Sequence, residues 1–191
     1  PRIAPAIVFN FTDVDGDAVT VKISKGTLGD ATFTTVPAGP LGGGQLREID
    51  LNGNQVFKGA NITITAKPQD VNDDGFKDGD GLVNVGFLDA AFSGGIDLGA
   101  VKISGDLGQL RCGDDTTPET GLKSLMVGSL GRFGTTTGAI SLGIDIEGKL
   151  GAVTVEAKLV DPSGVPATWA RSRSAGMEGG SWIARRAGSL A

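Results

Sequence analysis

Histidine and tyrosine are both missing from this 191-residue chain, and cysteine occurs once. Without histidine there is no Ser-His-Asp or Cys-His machinery, no His-ligated zinc and no side chain that ordinarily titrates near neutrality. The single cysteine, Cys112, forms no internal disulfide, and it reads as a small core residue, with a reactive thiol as the alternative. No apolar run approaches the ~18 residues that a membrane-spanning helix needs. No segment carries the i, i+3, i+4, i+7 apolar stripe of an amphipathic helix with caps, so helix content is expected to be low. Residues 1–160 also lack tryptophan, and with it the aromatic platforms common in sugar binding.

Glycine fills much of the space left by these absences. It accounts for 32 of 191 residues, about 17% against a usual ~7%. There is no strict Gly-X-Y period, which excludes collagen. Glycine among many Val, Ile, Leu and Thr points to short strands and frequent tight turns. The net charge is −5, unevenly spread. Residues 1–100 hold 13 acidic and 7 basic residues (net −6), 101–160 hold 7 and 6 (−1), and 161–191 hold 2 and 4 (+2). An acidic body repels phosphate backbones, which argues against nucleic-acid binding. The chain begins at Pro1 rather than Met and reads as a mature form or a fragment, so a missing signal peptide is uninformative.

The N-terminal part alternates with period two. Ile7, Phe9 and Phe11 share one face, as do Val19, Val21 and Ile23, and between them lies Asp13-Val-Asp-Gly-Asp17. Two alternating runs around Asp-Gly predict a β-hairpin. Asp13, Asp15 and Asp17 admit two readings, a calcium loop or simple turn chemistry; three carboxylates within five residues repel one another unless a cation or water screens them. Strands are expected at 31–36, 45–51 and 61–66. The 37–44 segment, Pro-Ala-Gly-Pro-Leu-Gly-Gly-Gly, reads as a mobile loop and lacks the Lys-Ser/Thr of a phosphate-binding turn.

An acidic loop follows, Asp70-Val-Asn-Asp-Asp-Gly-Phe-Lys-Asp-Gly-Asp-Gly81. It offers side-chain oxygens at Asp70, Asn72, Asp74 and Asp78. Hard cations such as calcium take six to eight oxygens, and Gly75 allows a sharp turn among them. Calcium is the expected cofactor, as a structural staple.

Beyond residue 82 a Leu-Gly unit recurs, at Leu98-Gly-Ala-Val101, Leu107-Gly-Gln-Leu110, Leu130-Gly-Arg-Phe133 and Leu150-Gly-Ala-Val153, with Lys123 replacing the glycine in Leu122-Lys-Ser-Leu125. The like-for-like positions Val101, Leu125 and Val153 are 24 and 28 residues apart, a spacing that suits the coils of a solenoid. The predicted fold is all-β: a right-handed parallel β-helix over 82–160, preceded by a calcium-linked β region over 1–81. A β-sandwich is the alternative. Residues 161–191 stand apart. They hold four of the eight arginines, both tryptophans and no lysine, and they read as a flexible tail, a cap, or sequence out of frame.

The Phe11-to-Ile23 hairpin and the Asp-Leu-Gly repeats resemble repeat-rich secreted bacterial β-helix proteins with calcium-linked β modules, and the acidic loop resembles dockerin and thrombospondin type-3 calcium loops. That resemblance places Asp70, Asn72, Asp74, Phe76 and Asp78 at ligand positions one, three, five, seven and nine. Position twelve, usually an acid, is Gly81, with Asp80 one residue early. This implies weak, extracellular-grade affinity, on the order of 10⁻⁴–10⁻³ M. The implied function is a non-catalytic structural or adhesive module of a secreted or cell-surface bacterial protein. Its partners would be polysaccharide or other surface proteins, with self-association through solenoid ends. The alternative is a carbohydrate-active enzyme, a lyase or hydrolase, using Asp114, Asp115 and Glu119, or Asp145 and Glu147, with Arg111 or Lys123 nearby; against it stands the reading of these as solvated loop charges. No catalytic residue is assigned.

Overall fold

A computed structural model of the chain describes residues 7–37, 39, 42–51, 53–91, 94–114, 119–156, 159–160 and 166–167. Ten strands join in one sheet: β1 (Ile7–Thr12), β2 (Ala18–Ile23), β3 (Thr32–Pro37), β4 (Gly44–Asp50), β5 (Ala60–Lys67), β6 (Val85–Asp89), β7 (Leu98–Cys112), β8 (Leu122–Leu130), β9 (Gly143–Ile146) and β10 (Leu150–Val155). A separate two-stranded ladder pairs β11 (Leu159–Val160) with β12 (Pro166–Ala167). Three short 3-10 turns are the only helical pieces among the described residues. The rest of 161–191 lies outside the described residues.

The period-two runs become strands, and their apolar faces align across the sheet. Ile7 opposes Ile23, which opposes Ile62. Ile62 in turn meets Val101, Val101 meets Leu125, and Leu125 meets Val153. A parallel row runs Phe9, Val21, Ile64, Ile103, Val127 and Val155. Both rows are buried in their central strands, because β-branched and aliphatic side chains pack well on a pleated surface.

β7 is the spine. Its first half pairs in parallel with β5 on one side and β8 on the other, and its second half with β6 and β9. The register shifts between Ile103 and Asp106. Gly105 lies in this bulge, and a Cβ there would overlap the backbone of Val83. The bulge lets one fifteen-residue strand serve both halves of the sheet.

The parallel β-helix is therefore not the fold. The repeat positions do align in register, but they do so inside a mixed, strongly curled sheet that forms a half-barrel. β2 runs antiparallel to both β1 and β5, and β3 runs antiparallel to β4. Strands from before residue 82 interleave with the repeats: β4 pairs with β6, and β5 with β7. A separate stack of coils is excluded, and so are the two facing sheets of a sandwich, because all ten strands share one hydrogen-bonded sheet.

Candidate metal site

The β1–β2 connection is built from aspartates because each oxygen can accept a turn N–H. The Asp13 N–H donates to the Asp17 carbonyl at 3.0 Å, and the Asp17 N–H donates to Asp13 Oδ1 at 2.8 Å. Gly16 takes φ +102°, the left-handed conformation that closes the turn. This closure draws one carboxylate oxygen each of Asp13, Asp15 and Asp17 to within 4.8 Å of one another. Asp15 is exposed, Asp13 is nearly buried and Asp17 is 0% exposed.

Two further loops shape the site. A Cβ at Gly43 would overlap the Asp13 carbonyl, so the β3–β4 loop lies directly on the turn. The acidic loop approaches from another side. Asp17 Oδ2 accepts the Gly81 N–H at 2.7 Å, and a Cβ at Gly79 would overlap Asp17 Oδ1. That Oδ1 is buried and has no hydrogen-bond partner. A buried carboxylate oxygen without a donor is costly unless something positive reaches it.

The electrostatics follow from the crowding. Burial, and then the Asp15 carboxyl bonded to it, push Asp13 up to about 7. Burial also raises Asp17, and the charges of Asp15 and Asp80 add to the effect. Three carboxylates so placed either share protons or bind a cation through oxygen.

The acidic loop is arranged differently. Asp70 accepts the N–H groups of Asp74 (3.1 Å) and Gly75 (2.8 Å), and Asn72 also accepts from Asp74 (3.2 Å). Asp74 accepts from Phe76, Asp78 from Val71 and Asp80 from Leu82. The Asp78 N–H closes the loop on the Gln69 carbonyl at 2.6 Å. These side chains are exposed or half-buried, and Phe76 is 76% exposed. Among the described residues, only Asp13, Asp15 and Asp17 bring three acidic groups within ligand range of one another.

Three further acidic residues gather around one lysine. Lys58 Nζ lies 3.2 Å from both Asp114 and Glu119 and 3.4 Å from Asp97; hydrogen bonds to Glu119 and Asp114 raise its pKa. Asp115 lies outside the described residues. Arg111 pairs with Asp89 at 3.7 Å and stands opposite Asp145 in the ladder. Glu147 and Lys123 are exposed. Cys112 is buried in the core, and burial drives its thiol pKa far up.

Sequence reasoning missed Lys58 and Asp97 as a hub, and it missed Asp106. Asp106 is 1% exposed and accepts from Ser129 Oγ (2.6 Å) and the N–H groups of Arg132 (3.0 Å) and Phe133 (3.4 Å). Neither group is local in sequence, so no motif announces it. Comparison of the chain with family models, curated proteins and solved structures finds no match.

Proposed function

We propose that this chain is a non-catalytic structural or adhesive module of a secreted or cell-surface protein, stabilised by a calcium ion on Asp13, Asp15 and Asp17. The observation that carries the reading is the buried, unpartnered Oδ1 of Asp17 within a cluster of three carboxylates. Their separation, within 4.8 Å, fits inside twice the ~2.3–2.6 Å calcium–oxygen distance. The donors are all hard oxygens, which favours calcium over zinc or copper. A site this partly exposed fills where calcium is plentiful, which supports an extracellular setting. Polysaccharides or other surface proteins are the proposed partners of such a module.

Calcium titration by calorimetry, paired with melting curves in calcium and in EDTA, tests the reading. The expected result is a binding isotherm and a higher melting temperature in calcium, with Asp15→Asn abolishing both. Absence of binding heat together with superimposable melts overturns it.

A further inference from the structure

We infer that the outer face of β2, β5 and β7 binds an acidic polysaccharide in which charged and neutral sugars alternate, through Lys22 and Lys102. This rests on the surface-module reading above and names the class of its partner, while the calcium site stands or falls separately. The strands that bury Ile62, Val101 and Leu125 turn a different set of residues outward. Lys22 pairs with Thr63, and Thr63 with Lys102, so the two lysines share one cross-strand row with a threonine between them. Both lysines are exposed and Thr63 is half-buried. Thr20 pairs with Thr65 in the neighbouring row of the same face.

Charge complementarity selects the partner. The chain has a net charge of −5, yet β1, β2, β5, the first half of β7, β8 and β10 hold four lysines and no aspartate or glutamate. On the other half of the sheet, β4, β6, the second half of β7 and β9 each hold an acid. The ion pairs among the described residues use Lys58 and Arg111, which leaves the Lys22 and Lys102 ammonium groups open to a ligand. Adjacent strands stand ~4.7–4.9 Å apart, so the two lysines are held roughly 10 Å apart across the sheet. A pyranose residue of an extended chain is comparable in length to one strand step. A chain crossing the strands therefore sets both ammonium groups against carboxylates on every second sugar, with the Thr63 hydroxyl at the neutral sugar between them. A densely sulfated chain or a nucleic-acid backbone meets too few cations here and is repelled by the acidic remainder of the protein. The row has no aromatic ring for base stacking, and only Val8 and Met126 are apolar groups that could face a membrane.

Calorimetry with short hyaluronan oligosaccharides, which alternate uronic acid and neutral sugar, tests this at low salt in calcium-containing buffer. The proteins are wild type and three double variants: Lys22→Gln with Lys102→Gln, Lys22→Arg with Lys102→Arg, and Lys77→Gln with Lys149→Gln. Lys77 and Lys149 are exposed and lie outside these strands, so the last variant makes the same charge change elsewhere. Circular dichroism confirms that each variant keeps the fold, as substitution at exposed positions should. The expected result is binding by wild type that weakens with added salt and is at least tenfold weaker in the Lys22/Lys102 glutamine variant. The arginine variant and the Lys77/Lys149 variant should stay within twofold of wild type. Wild type that binds calcium but not hyaluronan would overturn this inference and leave the calcium reading standing. An equal loss in the Lys77/Lys149 variant would overturn it as a general charge effect. Tighter binding of dextran sulfate, DNA or phosphatidylglycerol vesicles, lost in the Lys22/Lys102 glutamine variant, would overturn it by assigning the face a different anion.

Discussion

Asp17 accepts a hydrogen bond from the backbone of Gly81, 64 residues further along the chain. The β1–β2 turn and the acidic loop are therefore one piece of structure. Gly79 makes the contact possible: its φ is +90°, and a Cβ there would overlap the Asp17 carboxylate. Gly81 also has positive φ (+75°), but a Cβ there would meet only the Pro68 ring, Cδ at 3.6 Å and Cγ at 3.8 Å, in ordinary contact. Both Gly79→Ala and Gly81→Ala incur backbone strain of about 1–3 kcal/mol. Only Gly79→Ala also displaces Asp17. Melting in calcium and in EDTA should show the calcium-dependent increment lost in Gly79→Ala and retained in Gly81→Ala.

How much of this was legible beforehand depended on range. Ile7, Phe9 and Phe11 against Val19, Val21 and Ile23 form a hairpin that period-two alternation announces, because both strands and their turn lie within seventeen residues. The alignment of Val101 with Leu125 and of Leu125 with Val153 was visible in the repeat spacing. What the spacing could not convey was the neighbours of those strands. Repeats at 24 and 28 residues satisfy a parallel ladder in a curled sheet as well as a stack of coils. The choice is made by β5, which enters beside β7 after pairing antiparallel with β2. Asp17 and Gly81 lacked a signal for the same reason: a contact between distant segments leaves no local periodicity.

Asp106 anchors the turn after β8. Its carboxylate is buried and receives the Ser129 hydroxyl and two backbone N–H groups. Asp106→Ala strands all three donors and should destabilise by about 3 kcal/mol, given that hydrogen bonds to charged groups contribute ~1.5–3 kcal/mol each and losses in one network overlap. Ser129→Ala removes one donor and leaves the N–H bonds in place, with an expected loss of about 1 kcal/mol. Urea denaturation of both variants checks the order. Equal losses would mean the backbone N–H groups contribute nothing.

Lys58 and Asp97 set a pH dependence. Asp97 is buried to 7% exposure, and burial first, then the charge of Asp114, raise its pKa above the ordinary 3.8 despite the nearby Lys58. A carboxyl raised on folding favours the protonated form in the folded state. Its contribution to stability is full below pH 3.8 and is lost as pH rises through the folded value. Lys58→Met removes the ammonium that opposes this shift, so the loss on raising the pH should be larger than in wild type. Chemical denaturation at a series of pH values measures it. Identical pH profiles would show that Lys58 is screened from Asp97. The wild-type advantage should also shrink with added salt, since the Lys58 side chain is 43% exposed.

The curled sheet predicts a gradient of core energies along one cross-strand row. Ile103 in the spine strand is 2% exposed, whereas Val155 in the same row, at β10, is 43% exposed. Ile103 packs between Ile64 and Val127, with buried strands on both sides. Truncating it leaves a cavity that strands held from both sides cannot collapse into, and Ile103→Ala should destabilise by about 2–5 kcal/mol. Val155→Ala deletes methyls already half in water and should stay within about 0.5 kcal/mol. Val127→Ala, buried but one strand nearer β10, should fall between them. Equilibrium unfolding of the three variants tests the gradient, and a Val155→Ala loss matching that of Ile103→Ala would mean that β10 is covered as fully as the spine.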